Sequence, residues 1–272
     1  MSKEAREIAE NDRLRSDCIR RLIHENRPAR SVSSSPRIPR VIVQFWHDAG
    51  EIPGDVVDCI ATWEPLRTRG FGRHLFDDSE ARRFIYDHLG DSYVNAYDRC
   101  GHPAMRSDYF RLCYILEFGG MYIDADDCYQ GADILAVLGD NTLKIQPLCY
   151  DQSSGQMVHP SAFLGSTADS PNWTFYVNNN PLVAPAHHPV LRMALARATR
   201  LLLTEEWNRS DIQSTTGPGN LTSCLVRHAL APHIRRKRRD FTFLTNWDSI
   251  SVSRWPLSYR TDSRNWRLWR PN

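Results

Sequence analysis

A chain of 272 residues with 41% hydrophobic content is long enough to bury a sizeable core, which excludes wholesale disorder. Its 34 basic and 32 acidic residues nearly cancel, excluding a globally basic nucleic-acid wrapper and an acidic solubilising chain. No apolar run reaches the roughly 18 residues needed to span a bilayer, and the N-terminal region is charged throughout rather than built around an apolar signal core.

Residues 3–25 carry Ile8, Leu14, Ile19, Leu22 and Ile23 among many Arg and Glu, which predicts a charged, weakly amphipathic helix. The Ser- and Pro-rich stretch from Pro28 to Pro39 reads as a linker, so residues 1–37 are expected to precede the main body of the fold over 38–272. There the run Val41 to Trp46 suits a buried strand. A helix over about 55–66, a strand at His74–Phe76 and a helix over about 79–89 follow it.

Pro103 suits the first position of another helix, where its missing N–H would be unpaired anyway, and Gly119-Gly120 stops it. Between them Met105, Tyr109, Leu112, Cys113 and Leu116 recur at spacings of three and four as one apolar stripe. Met121-Tyr122-Ile123 then forms a short strand that runs into Asp124-Ala125-Asp126-Asp127. Downstream, strands are expected at Thr142–Ile145, Ala162–Leu164, Phe175–Val177 and Phe241–Thr245, with helices over about 189–203 and 220–230. This alternation predicts an α/β chain with a parallel sheet.

Acids at the C-terminal end of a buried strand stand where open α/β sheets place ligand chemistry. Asp124 and Asp126 can aim at one ion if the chain turns there and breaks the strand's alternation. Oxygen-only ligands favour Mg2+ or Mn2+, and so few of them point to an ion that already bridges the phosphates of a diphosphate substrate. A bare D-x-D is by itself most often a solvated acidic turn, and Asp127 reads as a solvated neighbour or loop cap. Asp108 and Arg111, three apart on the preceding helix, can face the same crevice.

The run Arg106-Ser107-Asp108-Tyr109-Phe110-Arg111, followed by Glu117-Phe118-Gly119-Gly120-Met121-Tyr122-Ile123-Asp124-Ala125-Asp126, resembles the signature of glycosyltransferases with a DXD sugar-binding region. That group is related to fungal initiating α-mannosyltransferases, capsular polysaccharide transferases and large clostridial glucosylating toxins. The opening strand from Ile38 to Trp46, Asn178-Asn179-Asn180, His187-His188-Pro189 and Thr216-Gly217-Pro218 are similar in the same order.

The resemblance implies a GT-A type fold, with a Rossmann-like, mostly parallel sheet flanked by helices. It also implies a GDP- or UDP-sugar donor, a Mn2+ or Mg2+ ion, and transfer of a hexose with retention to a glycan, lipid-linked or small-molecule acceptor. Carried over by position, Asp126 would bind the metal, Asp124 would reach the metal shell and the ribose, and Asp108 and Arg111 would hold the sugar. Trp46 would lie against the nucleobase or be plain core, with Gln44 and Tyr122 also on the donor side.

Two departures stand out. Val43 replaces a His that relatives often have, and their C-terminal His and Ser-Trp metal segment has no match. Asn246, Asp248, Ser249 or Ser253 could supply that late ligand, or the Trp-rich tail could simply pack on the domain. The missing segment leaves a non-catalytic nucleotide- or glycan-binding module as one rival reading. A protein-modifying effector is the other, its N-terminal helix docking to a partner or making a peripheral membrane contact.

The basic run Arg235 to Arg239 reads as a solvated connector or an anion-attracting patch rather than a nucleic-acid site, because no RRM, KH or zinc signature accompanies it. His187-His188 and Cys224 with His228 lack a complete zinc spacing and read as buried or turn residues. Seven scattered cysteines without a C-x-x-C pair suit reduced thiols, and hence a cytoplasmic setting.

Overall fold

The computed structural model describes residues 11–25, 37–164, 169–204, 211–231 and 239–269. Most of the linker, the first part of the N-terminal helix and residues 235–238 of the basic run lie outside these described residues.

Asn11 accepts from the backbone N–H groups of Arg13 and Leu14 and so caps α1 (Asp12–His24). Cys18, Ile19 and Ile23 on its apolar face are buried in the main core, while Leu14 is exposed. The elements that follow are β1 (Val41–Phe45), α2 (Gly54–Ala61), β2 (Gly72–Phe76), α3 (Asp78–Leu89), α4 (Asp91–Asp98), α5 (Pro103–Phe118) and β3 (Gly120–Tyr122). Next come β4 (Asp127–Tyr129), β5 (Leu143–Asp151), β6 (Gln156–Met157), α6 (Pro160–Phe163), β7 (Trp173–Ala184) and α7 (Pro189–Thr204). The series closes with α8 (Ile212–Thr215), α9 (Pro218–Ala229), β8 (Phe241–Phe243), β9 (Ser251–Ser253) and a 3-10 turn at Ser258–Thr261.

The central sheet has the order β2-β1-β3-β7-β5-β6, with β8 also pairing β5. β1 pairs in parallel with β2 and β3, β7 is antiparallel to both β3 and β5, and β8 is parallel to β5. Among the described strands of this sheet, β1, β2, β3, β5 and β8 therefore run one way and only β7 and β6 the other, a mostly parallel sheet with one internal reversal. One face carries Val43, Tyr122 and Leu182 against α5, α7 and α9. The other carries Ile42, Met121 and Val183 against Trp63, Ile134 and Trp247.

Three local expectations need correction. Residues 160–163 are one helical turn, not a strand, because Pro160 takes a first-turn position and the His159 side chain accepts from the Ser161 N–H. The helix expected over about 55–66 breaks after Ala61 and continues as a 3-10 turn at Glu64–Arg69. Helix α4, unanticipated, is split from α3 by Gly90, whose φ of 89° with ψ of −178° no side-chain-bearing residue adopts readily.

His102 caps α5 by accepting from Ala104 N–H at 3.0 Å, and Gly119 ends it at φ 70°, ψ −169°. A Cβ on Gly119 would stand 2.7 Å from the Ala186 nitrogen and 2.9 Å from the Ala184 oxygen, both backbone atoms of the neighbouring chain segment. The Gly119→Ala variant is expected to lose at least about 1–3 kcal/mol from the strained backbone alone. The check is a lower urea midpoint at unchanged slope; an unshifted midpoint would mean that the helix-to-strand corner yields easily.

Candidate active site

β3 delivers its chain to Asp124 at the C-terminal end of the parallel strands, and there the backbone turns: Asp127 N–H donates to the Asp124 carbonyl at 3.1 Å. The turn breaks the strand's alternation, so Asp124 and Asp126 face the same cleft of about 670 Å3. Asn180 on β7 fixes it by accepting from Asp124 N–H at 3.0 Å and donating to Asp127 Oδ2 at 3.1 Å. β9 borders it on the other side, with Asp127 opposite Ser253 and Arg254 N–H donating to the Asp126 carbonyl at 3.0 Å.

Arg111 on α5 is 3% exposed and sits between two acids, its Nη2 2.8 Å from Asp124 Oδ1 and 3.0 Å from Asp108 Oδ1. Nη2 also donates to Ser107 Oγ and Nη1 to the Asn179 carbonyl, both at 2.9 Å, while the guanidinium lies over Tyr122 at 4.4 Å from the ring centre. Burial disfavours its charge, but Asp124 and Asp108 outweigh that and hold its pKa above the usual arginine value. With its donors largely engaged by protein acceptors, Arg111 holds Asp108 and Asp124 in place at the cleft wall.

Asp108 is buried, accepts from Asn179 Nδ2 at 2.7 Å, and has its pKa raised by burial against the pull of Arg111 and Asn179. Burial pushes Asp124 up to about 6; Arg111 opposes the shift while Asp126 and Asp108 add to it. Asp126 accepts from Tyr259 Oη at 2.7 Å and from Arg260 Nη2 at the same oxygen. Asp127 is not the solvated neighbour expected: it is 2% exposed, burial raises its pKa well above the carboxylate range, and its Oδ1 is buried without a hydrogen-bond partner.

The expected donor residues divide. Trp46, Asp108, Arg111, Asp124 and Asp126 all line the cleft. Trp46 is mostly buried, with Val56 and Ala125 in a small cluster and Tyr259 edge-on at 5.2 Å, so only part of its ring reaches the opening. Gln44 and Tyr122 lie behind the wall as supports. Gln44 donates to the Asp124 carbonyl at 3.4 Å, and Tyr122 pairs with Ser107 Oγ at 2.7 Å beneath Arg111.

Of the late ligands, Asp248 and Ser253 line the cleft, whereas Asn246 and Ser249 are not among its lining residues. Asp248 Oδ1 already accepts from Gln146 Nε2 at 2.9 Å. The late tryptophans separate: Trp247 is core, Trp266 and Trp269 pack on the main core, and Trp255 is 61% exposed on the rim. His188 and His228 are buried around Asp240, and His187 occupies a turn with φ 60°.

Sequence reading did not single out Tyr259 or Arg260, which no local pattern connects to Asp126. It noted Asn179 and Asn180 only as part of an asparagine run.

The donor set suits a hard divalent cation. Asp124, Asp126 and Ser253 offer oxygens only, Asp127 holds an unpartnered buried oxygen, and the three carboxylates of Asp108, Asp124 and Asp126 face the two guanidiniums of Arg111 and Arg260. Among the described residues, no group of three His, Cys, Asp or Glu side chains is placed to hold a metal by itself, so substrate oxygens or water would have to complete the shell.

An α/β sheet whose parallel strands end on an acid pair, with an arginine-clamped aspartate on the preceding helix, places its cleft where open α/β sheets bind their ligands. Residues 44–143 match the family model described as glycosyltransferase sugar-binding region containing DXD motif. The fold resembles a solved structure described as PaToxG Glycosyltransferase, with a TM-score of 0.50 and 15% identity over 85% of this chain and 82% of that one. No curated protein sequence matches the chain. The match to the DXD-containing model covers 100 of the 272 residues, and the fold is of GT-A type.

Proposed function

We propose that the protein is a metal-dependent, retaining hexosyltransferase that takes its sugar from a GDP- or UDP-sugar and passes it to a glycan, lipid-linked or small-molecule acceptor. The observation that carries this reading is the convergence of Asp108, Arg111, Asp124 and Asp126 on one cleft. Its seven free cysteines, six of them buried, support a cytoplasmic setting.

Asp126 would hold a Mn2+ or Mg2+ ion, with Asp124 in its outer shell and Ser253 Oγ nearby. When bound, such an ion supplies positive charge that offsets the negative charge growing on the leaving diphosphate. The protein's own part is positioning. Arg111 keeps Asp108 and Asp124 charged and aimed at the sugar hydroxyls, and Asn180 keeps the acid-bearing turn in shape. No second carboxylate is assigned as a nucleophile. Retention is therefore assigned to a front-face route, in which the leaving phosphate oxygen accepts the acceptor's hydroxyl proton.

The test is calorimetric and thermal-shift binding of GDP- and UDP-sugars with and without Mn2+, followed by donor hydrolysis on any hit. One donor class should stabilise the fold only when Mn2+ is present, by about 2.7 kcal/mol at a hundredfold excess over Kd. A folded protein that responds to neither class would overturn the proposal in favour of a module without turnover.

A further inference from the structure

Arg260 reaches the acid site from far along the chain, 134 residues from Asp126, and sets its guanidinium on Asp126 Oδ2. Both side chains are nearly enclosed, 13% and 11% exposed, so water screens the pair poorly. The guanidinium is flanked by the rings of Trp255, 4.1 Å away, and Tyr259, 5.3 Å away. Its Nε is buried without a partner. Tyr259 donates its hydroxyl to the same Asp126 oxygen. The turn bearing both residues is tied down: Ser258 donates to Asp55 through its N–H at 2.6 Å and its hydroxyl at 3.0 Å, and Asn265 Nδ2 donates to the Arg260 carbonyl at 2.7 Å.

The oxygen that the proposed function gives to a divalent ion is thus already paired with a guanidinium. A guanidinium and a dication cannot share one carboxylate oxygen without strong repulsion. We infer that Arg260 is the resident counter-cation of Asp126 and competes with the divalent ion for that carboxylate. The inference rests on the metal-dependent reading above. Under it, Arg260 offsets the charge of Asp126 between turnovers and sets how much free ion is needed to load the site.

The experiment titrates Mn2+ alone, without nucleotide, into wild type and the Arg260→Gln, Arg254→Gln and Asp126→Asn variants, following free Mn2+ by electron paramagnetic resonance. Arg254, which faces Asp58 at 3.8 Å, controls for the loss of one positive charge nearby. Removing a like charge within a few ångströms should tighten Mn2+ binding about tenfold in Arg260→Gln, while Arg254→Gln stays near wild type. Unchanged or weaker binding in Arg260→Gln, with native circular dichroism and melting, overturns the inference. Failure of the metal reading looks different: Asp126→Asn then binds Mn2+ as wild type does, or no protein binds it even with UDP or GDP added.

Discussion

Replacing Arg111 by alanine is expected to lower the unfolding free energy by about 3–5 kcal/mol and to remove donor binding, because it leaves buried carboxylates without their countercharge. The arginine is 3% exposed and is the ion-pair partner of both Asp108 and Asp124. Asn179 would still donate to Asp108, but the Asn179 carbonyl and Ser107 Oγ would each lose a donor. Urea denaturation at constant slope measures the loss. Arg111→Lys should recover only part of it, since an ammonium keeps the charge but lacks the planar fork that spans two carboxylates, a serine and a carbonyl. Wild-type stability in Arg111→Ala would show that Asp108 and Asp124 are protonated in the native state and need no countercharge.

Asp126→Ala should reduce turnover by roughly two to three orders of magnitude, the usual cost of deleting a group that places charge at a transition state. A metal-site acid that faced only the cleft would do little for core packing. Asp126 also anchors Tyr259 and Arg260, so alanine should cost about 1–3 kcal/mol by leaving both without their acceptor. Asp126→Asn separates the two roles. Its amide oxygen still accepts from Tyr259 while the charge is gone, so only part of the stability should return and turnover should not. Turnover restored by asparagine would sink the assignment of Asp126 as the charge-bearing acid.

Much of this arrangement is legible in the sequence because it is local. The apolar stripe of α5, its Pro103 start, the Gly119-Gly120 corner and the acids after β3 all fall within a few turns of one another. The signal fails where structure is made by distant pairing. β7 runs for 12 residues, yet only Phe175–Val177 reads as strand, because Asn178-Asn179-Asn180-Pro181 has the composition of a turn. Those asparagines belong in a strand only because Asp108, Asp124 and Asp127 wait beside them. Asp127 looks solvated for the same reason: Asn180 and Ser251, the residues that cover it, lie 53 and 124 positions away. The antiparallel placement of β7 inside an otherwise parallel run is equally a long-range fact with no local code.

The two walls of the cleft differ in what holds them, and this divides how the molecule can change. On one side the acids and Arg111 are fixed by the sheet and α5, where almost every neighbour is buried and an altered side chain disturbs the core. On the other, Trp255, Arg264 and Arg267 stand on a C-terminal strap with short 3-10 turns and largely exposed residues. Substitutions on such surfaces usually change stability by less than about 0.5 kcal/mol. The exposed side chains of the strap can therefore vary at little cost, while Tyr259 and Arg260, which reach Asp126 from the same strap, cannot.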